Sequence, residues 1–238
     1  MNAQPDIPAF LDRRPLVGTF TLLSTYGNCP HQMYRRYIAR DQPYEETPEM
    51  KWGNDVHTAF EHRVGSKKPL PTTMLQWECF AAPFDGSVVA VEQKLGISAE
   101  GKPTSFWDPP VWFRGKADLA IISGTTGFIN DWKTGGSKFE DPFELETNAM
   151  LLHARHPHLT RILGTYTWLK ESRVGQLYDL SDIQRTWRIV SQKMQEIHAL
   201  RERATKGDIS GFAKRKSGLC GWCSVEDCEN HFVSEKRK

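Results

Sequence analysis

FINDWKTG, residues 128–135, is the stretch from which the fold of this chain can be worked out. Phe128 and Ile129 are typical of a buried strand, and the glycines that follow the stretch end it. Asp131 and Lys133 nevertheless stand where such a strand should stay apolar. An acid and a base two positions apart near the end of a buried strand therefore need a physical reason.

The preceding residues predict a β-hairpin. VWFRGKADLAII (111–122) and GFINDWK (127–133) flank a Ser-Gly-Thr-Thr-Gly segment, which is typical of a hairpin turn. A turn centred at 125–126 would leave both strands rich in apolar and β-branched residues. We therefore expect the Asp131 strand to have an antiparallel neighbour.

The expected register brings three charged side chains together. A turn centred between residues 125 and 126 pairs Asp118 with Lys133, and Ala120 with Asp131. Side chains alternate along a strand and directly paired residues share a face, so Asp118, Asp131 and Lys133 are expected on one face. A shift of one residue would separate them.

This combination of charges suits metal-assisted cleavage of a phosphodiester. Carboxylates such as Asp118 and Asp131 are hard oxygen ligands for Mg²⁺ or Mn²⁺. A bound cation polarises a phosphate and lowers the pKa of water, and Lys133 could orient that water or stabilise developing charge. A surface salt-bridge cluster on an edge hairpin is the structural alternative.

Helices and strands alternate around this hairpin. Helices are predicted at 22–38 with a break at Cys29-Pro30, at 49–64, at 144–155 and at 181–207, and further strands at 88–97 and 161–170. Ser181 or Asp182 could cap the last helix. A sheet with helices on its faces forms a layered α/β domain.

Composition limits the broad class of protein. The 238 residues are 39% hydrophobic and 25% charged, which suits one globular domain or a domain with an appended module. No apolar run approaches the ~20 residues of a membrane helix, and no secretory signal starts the chain. We expect a cytoplasmic protein. The net charge of +2 neither requires nor excludes nucleic acid.

An early helix adds a histidine. Gly53 and His57 are four residues apart and share a helix face. The glycine would let the helix pack closely on another backbone, and His57 would project from the same side. His57 could be a third metal ligand; a capped or core histidine is the alternative.

Four short motifs follow one another along the chain: Gly-x-x-x-His at 53–57, Glu92 in a strand, Gly-Lys-Ala-Asp at 115–118 and Asp-Trp-Lys at 131–133. Together they resemble the PD-(D/E)XK nuclease superfamily, and in particular the RecB-type exonuclease branch that includes the iron–sulfur nucleases of CRISPR adaptation. The resemblance implies a restriction-endonuclease-like core, an α/β fold with a mixed central sheet flanked by helices.

The resemblance also implies roles for these residues. The cation, Mg²⁺ or Mn²⁺, would be held by His57, Asp118, Asp131 and the backbone carbonyl of Trp132. Lys133 would assist the attacking water, and Glu92 resembles the additional acid of the family. A solvated strand residue is the alternative for Glu92.

The helix after the hairpin departs from the family. The family often has Gln-x-x-x-Tyr there, and this chain has Asn148 and Leu152 at those places. Asn148 keeps an amide for contact with DNA, whereas Leu152 has no hydroxyl.

The cysteines form a split set. Cys220, Cys223 and Cys228 leave a four-ligand site one thiolate short, and Cys29 could supply the fourth. The same nuclease branch often has this split, which implies a 4Fe-4S cluster that fastens the tail to the first helices. Zinc is the close alternative and three free cysteines the plainer one. Cys79 is expected to be a small buried residue.

Basic residues flank both parts of the cysteine set: Arg35 and Arg36 follow Cys29, and Lys214, Arg215 and Lys216 precede Cys220. If the cysteines come together, these residues could form a phosphate-binding rim; a solvated charged face is the alternative. Three aromatic residues, Tyr34, Trp52 and Trp112, could stack on bases or lie in the core.

The sequence therefore predicts a metal-dependent DNA exonuclease, bacterial or phage-encoded, acting on ends or single strands in recombination, repair or replication. A helicase or recombinase is a conceivable partner. The alternatives are a nuclease fold that binds DNA ends or partner proteins without cleavage, and a structure- or sequence-specific endonuclease. The expected organisation is an arm at 1–20, a nuclease domain at 21–210 and a metal-binding segment at 211–238 that packs with the Cys29 region.

Overall fold

The computed structural model describes residues 15–42, 46–87, 89–138 and 140–232. The chain divides into two compact units, one of residues 46–188 and the other of residues 15–42 with 189–232. The predicted bounds at 20 and 210 do not coincide with this division, since 21–42 and 189–210 belong to the unit that holds the tail. Most of the predicted arm lies outside the described residues.

Helices and strands follow the predicted order, with short additions. The helices are α1 (Phe20–Asn28), α2 (Pro30–Met33), α3 (Pro48–Ser66), α4 (Glu78–Ala81), α5 (Phe143–Arg155) and α6 (Ile183–Thr205). The strands are β1 (Val89–Ile97), β2 (Pro103–Thr104), β3 (Phe113–Ser123), β4 (Thr126–Lys133), β5 (Arg161–Trp168), β6 (Arg173–Val174) and β7 (Tyr178–Asp179).

All seven strands belong to one mixed sheet in unit 46–188. The order is β2-β1-β3-β4-β5-β6, and β7 also pairs with β5. β1, β3 and β4 are antiparallel neighbours, whereas β4 and β5 are parallel and are joined through α5. A parallel pair needs such a crossover, usually through a helix. The predicted mixed α/β architecture, a central sheet flanked by helices, is therefore confirmed.

The hairpin register differs from the predicted one by two residues. Ser123 pairs with Thr126 around a tight turn at 124–125, and Ala120 pairs with Ile129 instead of Asp131. Gly124 has a φ of 57°, which a two-residue turn of this kind readily takes when glycine comes first. Because a two-residue shift preserves alternation, it leaves the parity of the charged positions unchanged.

Helix α3 is fixed to the sheet by one apolar face. The Thr47 hydroxyl caps it by accepting the N–H of Met50 at 3.3 Å. Val56 and Phe60 are fully buried and share a core cluster with Trp132 of β4. The rings of Phe60 and Trp132 have centroids 4.8 Å apart. Each such side chain contributes about 2–3 kcal/mol through burial, so the orientation of this face is strongly specified.

Helix α5 packs closely on β1 and β3. A Cβ added at Gly115 would lie 2.8 Å from both Asn148 Oδ1 and Leu151 Cδ1 of α5. The absence of a side chain at this position therefore sets how near α5 comes to the sheet. Asn148 and Leu151 are both buried at this contact.

The second unit contains α1, α2, the second part of α6 and the tail. The predicted break at Cys29-Pro30 is present: Cys29 is extended, and Pro30 begins α2. The rings of Tyr34 and Phe212 have centroids 4.7 Å apart.

Asp182, one of two predicted caps of α6, accepts the N–H of Arg185 at 3.0 Å. Within the described ranges, no helix combines the length and apolar character needed to span a membrane.

Candidate functional site

The candidate site lies where the sheet of unit 46–188 loses its regular pairing. The ladder between β1 and β3 is interrupted at Glu92 and Asp118. The ladder between β3 and β4 ends at Leu119 and Asn130, so Asp118 and Asp131 lie just beyond it. Glu92 also has a φ of 50°, in the left-handed region that side chains rarely adopt. Such strained positions cluster at functional sites.

His57 of α3 meets two of these carboxylates. Its Nδ1 lies 3.2 Å from Asp118 Oδ2 and 3.5 Å from Glu92 Oε1. One ligand atom from each of the three residues lies within 4.8 Å of the other two. Asp118 is only 5% exposed, and its Oδ2 also accepts the backbone N–H of Trp132 at 3.0 Å. This hydrogen bond fixes the Asp118 carboxylate between the separating strands.

His57 and Glu92 are each held in charged form by their hydrogen-bond partners. Burial disfavours the charge on His57, but its hydrogen bonds with Asp118 and Glu92 outweigh burial and raise the pKa of His57 to about 10. Burial raises the pKa of Glu92, yet the hydrogen bonds from His57 and Lys116 outweigh it, and the pKa of Glu92 is lowered. A metal ligand must be a neutral imidazole, so binding a cation here would release the His57 proton.

Asp131 and Lys133 form an adjacent charged group with a partner from α5. Lys133 Nζ lies 3.0 Å from Asp131 Oδ2 and 2.7 Å from Glu144 Oε2. Burial raises the pKa of Asp131, and the charges of Asp118 and Glu144 add to this effect while Lys133 opposes it. Burial would lower the pKa of Lys133, but the two carboxylates outweigh it and raise the pKa. Lys133 is therefore kept in its charged form, and its ammonium group lies beside the carboxylates of Asp131 and Glu144.

Two buried oxygens have spare capacity for a ligand. Glu92 Oε1 and Asp131 Oδ1 are both buried and make no hydrogen bond of good geometry, although His57 Nδ1 lies 3.5 Å from the first. Asp131 Oδ1 lies 2.9 Å from Lys133 Nζ, but outside hydrogen-bond geometry. Each oxygen faces a cationic side chain and keeps lone pairs that a bound cation could use. The donor set, carboxylates with one imidazole, fits Mg²⁺ or Mn²⁺.

The grouping differs in detail from the expected one. The sequence placed His57, Asp118 and Asp131 around the cation and Glu92 to one side. In the structure, Glu92 joins His57 and Asp118, whereas Asp131 pairs with Lys133. The reading of Glu92 as a solvated strand residue is wrong, because its side chain is only 10% exposed and ion-paired.

The side chain of Trp132 belongs to the core, at 1% exposure. The metal-binding role of its backbone carbonyl stays a prediction. Glu144 is a site residue that the sequence reasoning missed. An acid in the first turn of a helix is expected from the helix dipole alone, so Glu144 carried no distinguishing signal.

Gly53 does not have the packing role expected for it. A Cβ at this position would meet only Thr134 Oγ1, at an ordinary 3.5 Å. His57 is brought to the sheet by the buried face of α3 instead, through Val56 and Phe60. Close approaches of a helix to the sheet occur at Gly65 of α3, where an added Cβ would lie 2.8 Å from Val91, and at Gly115 of β3, which faces α5.

The other unit holds the four predicted cysteine ligands. Cys29, Cys220, Cys223 and Cys228 are half-buried and line one cavity. Among the residues described, no three of these sulfurs lie within 4.8 Å of one another, so they do not form a ready coordination sphere. Burial raises the pKa of the Cys223 thiol, and the other three cysteines add to this. Cys79 is exposed, so its expected burial is wrong.

Most of the predicted phosphate-binding residues have protein partners. Arg35 lies 2.6 Å from Asp41 and 3.0 Å from Asp227, which precedes Cys228, and it is largely buried. The remaining contacts are Arg36 over the ring of Tyr37, Lys214 with Glu229 at 3.2 Å, and Arg215 with the carbonyl of Gly27 at 2.6 Å. Lys216 is exposed. Arg35 therefore connects segments of the protein, a structural role that was not expected.

The helix and aromatic candidates for DNA contact are mostly packed inside. Asn148 is 5% exposed and lies against β3, so the structure puts it in the core instead of at a DNA-facing surface. Tyr34 packs on Phe212, and Trp112 on Trp187. Trp52 is 40% exposed.

Comparison with known proteins finds a similar fold. No family model and no curated protein matches this chain. A solved structure described as "Crystal structure of SSO0001" is similar, with a TM-score of 0.51 and 13% identical residues over 93% of this chain and 89% of that one. At this identity the likeness concerns the fold alone. The chain therefore has a mixed α/β fold that is also found in a solved protein.

Proposed function

We propose that this protein is a metal-dependent deoxyribonuclease with a restriction-endonuclease-like core, acting as an exonuclease on DNA ends or single strands. The observation that supports it best is the convergence of His57, Glu92 and Asp118 at the opening of the sheet, next to the Asp131–Lys133 pair. These are the residue types that the four sequence motifs predict for a phosphodiesterase site.

A divalent cation is the implied cofactor. Its ligands would be His57, Glu92 and Asp118, and Asp131, whose pKa responds to the charge of Asp118, would lie beside them. When bound, such an ion supplies Lewis-acid polarisation of the phosphate and a lowered pKa for water. The burial of Glu92 and Asp118 favours this assignment over a surface salt-bridge cluster, whose carboxylates would be exposed.

The protein's own residues would position the phosphate and the attacking water and would balance their charges. Lys133 is held by Asp131 and Glu144, so its ammonium can be aimed at an incoming phosphate or at the attacking water without reorganising. Asp118 is fixed by the Trp132 N–H, and its position would therefore change little when a substrate enters.

The cysteine cavity is proposed to hold a 4Fe-4S cluster, with zinc as the alternative. Cys29, Cys220, Cys223 and Cys228 supply four thiolates to one cavity, a donor set that fits both. Such a site would tie segments that are far apart in sequence and would restrict the unfolded chain. A structural role for it is therefore favoured.

A nuclease assay tests the proposal directly. Protein purified without oxygen is incubated with Mn²⁺ and with end-labelled linear single-stranded DNA, or with a closed circular strand of the same sequence. An exonuclease digests the linear strand and spares the circle, whereas an endonuclease cleaves both. Failure to cleave either substrate, with tight binding to ends, would instead support a binding module.

A further inference from the structure

An exposed tryptophan stands at the end of a row of cations that leads away from the candidate metal site. Trp107 is 64% exposed, the highest fraction among the large apolar side chains that the structure describes. Arg114 and Lys94 lie over its ring, with the guanidinium carbon 5.0 Å and the ammonium 5.6 Å from the ring centroid. Its exposure and the two cations over its ring distinguish Trp107 from a tryptophan that belongs to the core.

The cations share one face of the β1–β3 pair. Lys94 pairs directly with Lys116, and Gly96 pairs directly with Arg114. Directly paired residues share a face, as do residues two apart along a strand, so Lys94, Lys116 and Arg114 form one row. Lys94 and Lys116 are exposed, and Arg114 is half-buried.

The row begins at the metal site. Lys116 is ion-paired with Glu92, one of the three converging residues. Each step of two residues along a strand covers about 7 Å, so the row extends roughly 13 Å from Glu92 to the level of Arg114. A strand of DNA whose phosphate is cleaved at the metal site would meet these cations with its next phosphates.

The loop that carries Trp107 is built to hold it over this row. A Cβ at Gly96 would lie 2.7 Å from the Ser105 carbonyl oxygen, so glycine allows the loop to cross the sheet there. The Ser105 hydroxyl accepts the N–H of Trp107 at 3.2 Å and donates to Asp108 Oδ2 at 2.9 Å. Arg114 donates to the carbonyl of Phe106 at 3.0 Å. The backbone of the loop is therefore held in place beside the row of cations.

We propose that Trp107, together with Lys94, Lys116 and Arg114, forms a stacking platform and cationic track for single-stranded DNA that leads to the metal site. The proposal rests on the proposed function, and it adds the path of the strand. Stacking needs an unpaired base, which duplex DNA does not offer, so the platform selects single strands. The cations supply attraction to phosphates and the ring supplies attraction to bases.

Binding of two matched oligonucleotides tests it. Fluorescence anisotropy in EDTA compares a labelled thymidylate 12-mer with a 12-mer of the same charge made of abasic sites. Trp107→Ala should bind the thymidylate strand on the order of 5- to 100-fold more weakly and leave abasic binding unchanged. Trp107→Phe should lose less, and Leu177→Ala, which removes a side chain of 58% exposure, should lose nothing. Lys94→Gln should lower the salt slope by about 0.7.

Equal binding of both oligonucleotides by the unmodified protein would overturn the platform, because a simple polyanion site ignores bases. So would displacement of the thymidylate strand by polyglutamate of equal charge, which would indicate an acidic protein as the occupant. Either result could occur while the linear DNA is still cleaved with Mn²⁺. In that case the proposed function would stand and only the path of the strand would be wrong.

Discussion

Nδ1 of His57 lies 3.2 Å from Oδ2 of Asp118, although one belongs to helix α3 and the other to strand β3. The distance is set by apolar packing beside it, since Phe60 of α3 stacks on Trp132 of β4 at 4.8 Å. Trp132 in turn donates its N–H to Asp118. His57 and Phe60 lie close together on α3, so the same part of this helix contributes to the candidate metal centre and to the core.

Replacement of Lys133 should remove the positive charge of its ammonium group from the site. Lys133→Gln is expected to lower kcat for DNA cleavage by about 10²–10³-fold, the usual effect of losing one preorganised charge-stabilising group. Glu144→Gln should cost less, because Asp131 still holds the ammonium. Steady-state kinetics on a linear strand measure both. Equal kcat for Lys133→Gln and the unmodified protein would exclude this role.

Two substitutions at Glu92 should distinguish the effect of its backbone conformation on stability from the effect of its carboxylate on metal binding. A left-handed conformation costs a residue other than glycine about 1–2 kcal/mol, and Glu92 has a φ of 50°. Glu92→Gly should therefore unfold at a temperature no lower than Glu92→Gln, while both bind Mn²⁺ more weakly than the unmodified protein. Thermal unfolding and metal titration are the two measurements. Normal Mn²⁺ affinity in Glu92→Gly would remove Glu92 from the ligand set.

Two glycine-to-alanine substitutions should have opposite effects on stability. Gly53 lies inside α3 with room for a Cβ, so Gly53→Ala should raise the free energy of unfolding by up to about 1 kcal/mol. Gly115→Ala places a Cβ 2.8 Å from two atoms of α5 and should lower the free energy of unfolding by about 1–3 kcal/mol. Urea unfolding measures both, and the reverse order would contradict the packing described.

Loss of one thiolate should weaken binding of the metal that is proposed for the cysteine cavity. Cys220→Ser is expected to reduce bound iron, or zinc, and to lower the melting temperature, because the metal restrains the unfolded chain. Cys79→Ser is the matched control, since Cys79 is exposed and lies in the other unit. Elemental analysis gives the content, and absorption near ~400 nm distinguishes an iron–sulfur cluster from zinc. Full metal content in Cys220→Ser would contradict the assignment.

The sequence predicted the elements of the fold well because their signals are local. The four-residue spacing of Val56, Phe60 and Val64 and the break at Pro30 each depend on a few neighbouring residues. The hairpin register was wrong by two residues because five turn residues allow several centres, and only the backbone at Gly124 decides among them. The even shift preserved the alternation on which the charged site depends.

What the sequence could not predict were contacts between distant segments. Glu144 looked like an ordinary acid at a helix start, and Arg35 like a candidate for phosphate contact, until their partners were known. Asn148 was expected to contact DNA through its amide, yet it is buried against β3, where Gly115 leaves room for it. Trp107 belonged to no motif, and it is distinguished by its exposure and by the two cations over its ring.

The most direct test of the central claim, a divalent cation at His57, Glu92 and Asp118, is a calorimetric titration with Mn²⁺. Asp118→Asn is compared with Asp55→Asn, which removes an exposed carboxylate from the same helix as His57. The account predicts that Asp118→Asn weakens Mn²⁺ binding at least about tenfold, whereas Asp55→Asn binds as the unmodified protein does. Equal affinity of the two variants would contradict a metal centre at this place.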